Sequence, residues 1–142
     1  MSGKKKDPVP QGKYVPATRC GNMIFTAGMT PRKDGVLQFS GKVQPGEPLE
    51  KYREAARLAA ANALTAARNR LEEGEKIARV LSMTVYVNAA DGFSAHSKIA
   101  DFASEYLCEE LGEPGTAARA AIGIAGLPGE APVEIQLVCM AG

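Results

Sequence analysis

"LEKYREAARLAAANALTAARNRLEEGEKIARVLSMTVYVN" (49–88) decides the fold, because it joins a strong helix signal to a strong strand signal across one turn. From Leu49 to Glu73 the composition is Ala, Leu, Arg and Glu, all good helix formers, with Pro48 placed at the start and Gly74 at the stop. Tyr52, Ala56, Ala60, Ala63, Ala67 and Leu71 recur at helical spacing, and Arg53, Arg57, Arg68 and Glu72 fall elsewhere. One face of the helix can therefore pack on a sheet, and its alanines allow close approach. The 76–88 stretch is long and ends in β-branched and aromatic residues, which suits a central strand. Period-two reading gives it one face of Ile77, Leu81, Met83, Val85 and Val87 and another of Ala78, Val80, Ser82, Thr84 and Tyr86.

Working outward, "YVPATRCGNMIFTAG" (14–28) breaks at Gly21-Asn22 between two short β-favouring runs and reads as a hairpin. The segment 30–48 is rich in Gly, Pro and charge, a loop with one short edge strand at Val36–Phe39. After "NAADGF" a second helix is expected from Ser94 to Leu111, leading through "GEPG" (112–115) to two apolar strands joined by a Gly/Pro turn. The order is β-β-(β)-α-β-α-β-β, an α/β (α+β) domain with a mixed sheet and two helices packed on one face. The last strand is partly apolar on both sides, so an uncovered, half-apolar sheet face is expected, and such a face favours self-association.

Bulk properties exclude several functions. A chain of 142 residues, 45% apolar and 23% charged, suits one globular domain. A net charge of +1 gives no broad basic field for nucleic acid. Lys4, Lys5 and Lys6 are the only charge cluster, and residues 1–12 are expected to be a flexible basic tail on a single domain spanning 13–142. Cys20, Cys108 and Cys139 lack CxxC spacing and His96 is the sole histidine, so neither a disulfide framework nor a metal site is expected. Without an apolar leader or about 18 uninterrupted apolar residues, no membrane partner is expected and the cytoplasm is the default compartment.

Two charges interrupt the closing strands: Arg119 among alanines, and Glu134 between Val133 and Ile135. Period-two reading groups Arg119 with Ala117, Ala121, Gly123 and Ala125, residues too small to fill space, so the guanidinium is expected to project into a hollow. Antiparallel pairing through the turn would bring Glu134 onto the same face. A guanidinium can hold a carboxylate bidentately, and a nearby acid can position or deprotonate water. A structural ion pair or an exposed sheet edge is the plainer alternative. Ser82, Ser94 and Ser97 lack a histidine and acid at recognisable spacing, His96 reads as a surface or capping residue, Cys108 as core, and the late glycines form no nucleotide loop.

"GNMIFTAGMTP" (21–31), "AAANAL" (59–64), "RVLSMTVYVN" (79–88) and "AARAAIGIAGLPGEAPVEIQLV" (117–138) occur in an order that resembles the RidA/YjgF family of enamine/imine deaminases, also known as L-PSP endoribonucleases. The most specific part is A-R-x-x-x-x-x-A-x-L-P followed by V-E-I, from Ala118 to Ile135. The resemblance implies a chorismate-mutase-like fold and a homotrimeric barrel with three intersubunit clefts, acting on a small carboxylate substrate without cofactor. It implies that Arg119 holds the substrate carboxylate and Glu134 orients the hydrolytic water, with Tyr14, Gly28, Ala121 and Ile124 lining the cleft. The chain departs from typical deaminating members at Ala27, where Ser is usual, and at Ala121, where Cys or Thr is usual. It is nearer a divergent branch carrying His-Ala-Arg, yet has Ala117 in place of that histidine. The expected reaction is hydrolysis of 2-imino or enamine acids to 2-keto acids and ammonium; a non-catalytic carboxylate-binding trimer is the alternative, and endoribonuclease activity a weaker one.

Overall fold

The computed structural model describes residues 5–142. Its centre is the long strand β5 (Ile77–Asn88), reached after the hairpin β1 (Ala17–Cys20) and β2 (Met23–Thr26), the ribbon β3 (Arg32–Lys33) and β4 (Val36–Leu37), and helix α1 (Arg53–Arg68). Helix α2 (His96–Leu111), β6 (Ala118–Ile124) and β7 (Val133–Ala141) complete the chain. The main sheet has the order β1-β2-β7-β5-β6, and β3-β4 form a separate ribbon.

The mixed sheet follows from the connections. Helix α2 carries the chain back along β5, so β6 pairs with β5 in parallel, as a helical crossover requires. The next segment crosses the end of β5, and β7 pairs antiparallel on its other side. The two closing strands are thus separated by β5 and do not pair with each other, contrary to the antiparallel pairing expected through their turn. Composition explains the outcome. On β7, Val133, Ile135, Leu137 and Cys139 are fully buried, as an interior strand needs, whereas the small residues of β6 leave it at an edge.

The crossing is fastened by Asn88, which is fully buried. Its backbone N–H donates to Pro132 O at 2.9 Å and its carbonyl accepts from Val43 N–H at 2.8 Å. Its side-chain amide donates to Ala131 O at 3.0 Å, and its Oδ1 accepts from Lys42 Nζ at 2.9 Å. Lys42 also donates to Ala125 O at 2.7 Å, so one end of the crossing is held by this ammonium group and the other by Asn88.

Other elements depart from the sequence reading for local reasons. Residues 49–52 form a 3-10 turn, and α1 ends at Arg68 rather than Glu73. Beyond it Arg70 Nε donates to Ala17 O, and Arg19 bridges Arg70 O and the Glu75 carboxylate, tertiary bonds that compete with another helical turn. Asp34 (φ 52) and Gly35 (φ 81) form a tight turn that makes the expected lone edge strand one arm of the β3-β4 ribbon. Register shifts between Ile77 and Arg79 and between Val80 and Ser82 bury Val80 where Leu81 was expected, because each extra residue reverses the alternation. Helix α2 begins two residues after Ser94. In the amino-terminal segment Asp7 pairs with Arg70 at 3.1 Å; Lys4 of the basic cluster lies outside the described residues.

Helices α1 and α2 pack on the face bearing Ile24, Met83, Val85, Val87, Ile135 and Leu137. Seven alanines of α1 are buried, so its backbone lies close to the sheet. Phe25, Ile122 and Met140 stand exposed on the opposite face, as expected for a sheet covered on one side. Among the described residues no helix is long and apolar enough to cross a membrane.

Replacing Asn88 by Ala leaves Ala131 O without its side-chain donor and Lys42 without its side-chain acceptor. The variant is expected to lose about 1–3 kcal/mol of stability, read as a lower urea midpoint with an unchanged denaturant slope.

Candidate active site

Glu134 stands on β7 opposite Tyr86 of β5, on the face away from the helices. Alternation puts it there: Val133 and Ile135 on either side are fully buried against the helices. Beside it the chain after β2 runs along β7, held by reciprocal bonds of 2.8 Å between Met29 and Ile135. This brings the Gly28 backbone against the Glu134 carboxyl group. A Cβ at Gly28 would lie 2.8 Å from Glu134 Cδ and closer still to Oε2, so a larger residue there would push the carboxyl group aside.

Among the described residues the Glu134 carboxylate has no hydrogen-bond or ion-pair partner. It is half-buried, and desolvation pushes its pKa above the ordinary value of 4.5. Polar neighbours share this face. The Tyr86 hydroxyl donates to Gln136 Oε1 at 3.4 Å, and Gln136 Nε2 donates to Thr26 O at 3.4 Å. An unpartnered acid beside a tyrosine and an amide can accept a proton from a bound water and hold that water in one direction.

Arg119 is placed elsewhere. It pairs with Met83 on β5, whose side chain is buried on the helix side, so Arg119 faces α2 and Glu134 faces away from it. The expected sharing of one face is overturned because the two strands flank β5 and meet it at positions of opposite parity. The expected hollow is also occupied. Arg119 Nη1 donates to Asp101 Oδ1 at 2.8 Å and Ser104 Oγ at 2.9 Å, and Nη2 donates to Ser97 Oγ at 2.7 Å and Ser97 O at 3.2 Å. His96 lies over Gly123, where a Cβ would collide with its ring, and stacks edge-on with Phe93.

Of the remaining expected site residues, Gly28 joins Glu134. Ala121 lies on the helix side with Arg119, packed against the core. Ile124 ends β6 opposite Asn88. Tyr14 is exposed near the amino terminus, where its hydroxyl accepts from Gln11 N–H at 2.9 Å. The sequence reading passed over the partners of Arg119, although Ser97, Asp101 and Ser104 stand at i, i+4 and i+7, one polar stripe of α2. Alternation places Gln136 on the face of Glu134, but gives it no role, because its partner Tyr86 is 50 residues away. Among the described residues no cluster of His, Cys, Asp and Glu is arranged to hold a metal ion. A groove bordered by Leu71, Ile77, Leu111 and Pro114 contains neither Arg119 nor Glu134.

The family profile described as Endoribonuclease L-PSP matches residues 4–141. The chain belongs to the RidA/YjgF family. It is 28% identical over 128 residues to protein TCP17 of Trypanosoma cruzi, covering 89% of this chain and 80% of that protein. With a RutC family protein of Pasteurella multocida it shares 27% identity over 135 residues, covering 94% and 91% of the two chains. Among solved structures, a protein of unknown function from Agrobacterium tumefaciens superposes with a TM-score of 0.83 at 33% identity, covering 91% of this chain and 83% of the other. In this RidA/YjgF chain the glutamate and arginine of the recognised motifs open onto different faces of one sheet.

Because burial raises the Glu134 pKa in the folded state, its contribution to stability is full below about pH 4.5 and is lost as pH rises through the raised value. Glu134→Gln, which carries no charge to desolvate, is expected to melt at a higher temperature than the parent near pH 7. The advantage should shrink toward zero near about pH 4, where both side chains are neutral; thermal melts across this range check it.

Proposed function

We propose that this protein is a hydrolytic deaminase that converts small 2-imino or enamine acids to 2-keto acids and ammonium. The observation that carries the reading is the half-buried, unpartnered carboxylate of Glu134 held against the Gly28 backbone. Glu134 accepts a hydrogen bond from a water and directs its oxygen at the iminium carbon. The new C–O bond forms as the C=N pair moves to nitrogen. One proton passes from oxygen to nitrogen, the C–N bond breaks with its pair leaving on ammonia, and as the C=O bond closes the remaining hydroxyl proton passes to that ammonia. Water and an iminium acid are thus converted to a keto acid and ammonium. Such imines hydrolyse unaided in water, so orientation and local electrostatics are the main demands on the protein.

Arg119 is the group suited to the substrate carboxylate. Because it faces α2 while Glu134 faces away, the two meet a single ligand only if a second copy supplies one of them. Two features support a homotrimer with clefts between copies. The strand carrying Arg119 is an open edge of the sheet, and Phe25, Ile122 and Met140 leave the uncovered face partly apolar. In such a cleft Gly28, Ile124, Ala121 and Tyr14 supply backbone and lining contacts.

Ala27 and Ala121, which place no polar group beside the ligand, favour a second reading as a non-catalytic trimer that binds small carboxylates. An endoribonuclease role follows the family's description alone, and the net charge of +1 offers phosphate little attraction.

Generating an imino acid with an amino acid oxidase and following its disappearance tests the proposal. The protein should accelerate the loss, and Glu134→Gln should lower kcat about 100-fold. Arg119→Ala should act chiefly on KM. No acceleration, or full activity in Glu134→Gln, overturns it; stabilisation by keto acids without turnover supports the binding reading.

A further inference from the structure

Arg119 is already holding a carboxylate, and it belongs to the protein. A guanidinium has five N–H donors, four of them on Nη1 and Nη2. Here Nη1 is shared by Asp101 and Ser104, and Nη2 makes both of its bonds to Ser97, so that among the described residues only Nε–H is without a partner. A bidentate grip on a ligand needs at least one Nη–H, so an incoming carboxylate must displace an acceptor on α2.

The four acceptors differ in how readily they leave. Ser97 O is part of the helix backbone, and the two hydroxyls are neutral. Asp101 is the only anion among them, and its side chain is 58% exposed while that of Arg119 is 19% exposed. Among the described residues its side chain makes one hydrogen bond, the one to Arg119. Rotation into solvent therefore exchanges one charge-assisted bond for water, without opening the core. Until it rotates, its charge, 2.8 Å from Nη1, offsets the attraction of Arg119 for any other anion.

We propose that Asp101 is a specificity-determining residue that occupies Arg119 as an internal competitor, weakening the hold on ligand carboxylates. The inference rests on the reading of Arg119 as the carboxylate anchor. Its consequence is a site that discriminates weakly for the anionic group, with affinity rising when the competitor's charge is removed. Asn suits the test, because its amide oxygen can still accept from Nη1 and keep α2 joined to the edge strand.

Calorimetric titration of the full chain with pyruvate and with its neutral analogue pyruvamide separates the cases. In Asp101→Asn the Kd for pyruvate should fall about tenfold while that for pyruvamide stays within twofold, since a like charge beside an anion site is removed. Asp101→Ala should shift pyruvate in the same direction if the amide variant folds poorly. An unchanged or weaker pyruvate Kd in both variants, or equal tightening of both ligands, overturns the inference. Arg119→Ala tests the underlying reading apart from this: loss of pyruvate binding keeps the anchor in place whatever Asp101 does. Pyruvate binding at parental strength in Arg119→Ala, or none by any form, overturns both.

Discussion

Asn88 is buried at the end of the central strand with each of its backbone and side-chain groups in a hydrogen bond, and the architecture turns on it. A buried amide is tolerated only when its partners are all present, so it fixes the one path by which the chain passes over the end of β5. That path sends the last strand to the far side of β5, between it and β2. Had the chain turned back directly, β7 would have joined β6 and left β5 with an unpaired edge. The sheet would then have lost its most apolar strand from the interior.

The functional geometry is a consequence of that crossing. Strand order and register together decide which face each charge meets, and they send Glu134 and Arg119 apart. Glu134 arrives on the open face, where the close passage of Gly28 takes away solvent without supplying a partner, and its pKa rises. Arg119 arrives under α2, where a stripe of two serines and an aspartate satisfies it. One charge is left poised and the other restrained. A raised carboxyl pKa is a cost in folding that packing elsewhere offsets, a pattern common at sites selected for chemistry.

Much of this was legible in the chain. Alternation on 133–141 and the alanine-rich run after Pro48 identified the elements because burial on one face leaves a period, and the Gly21-Asn22 break identified the hairpin. The family resemblance marked Glu134, through V-E-I, and Gly28 as candidates, and the structure brings those two together. The face of Arg119 was not, because alternation orders residues within one strand and says nothing about which side of a neighbour that strand will take. The helix end at Arg68 was equally hidden: Arg19, Glu75 and Ala17 stop it, and none is a helix signal. The bulged register of β5 was hidden too, since two inserted residues leave a composition that still reads as one strand.

By itself the sequence determined the two helices, the strands of the main sheet and the motifs of the family, because these depend on local periodicity and on residue type. Only the tertiary structure decided that β5 lies between the closing strands, that Gly28 presses on Glu134, and that Asp101 and two serines hold Arg119. Those outcomes depend on contacts between segments far apart in the chain. Their energies are set by which groups lose water together, and no single stretch of sequence carries that information.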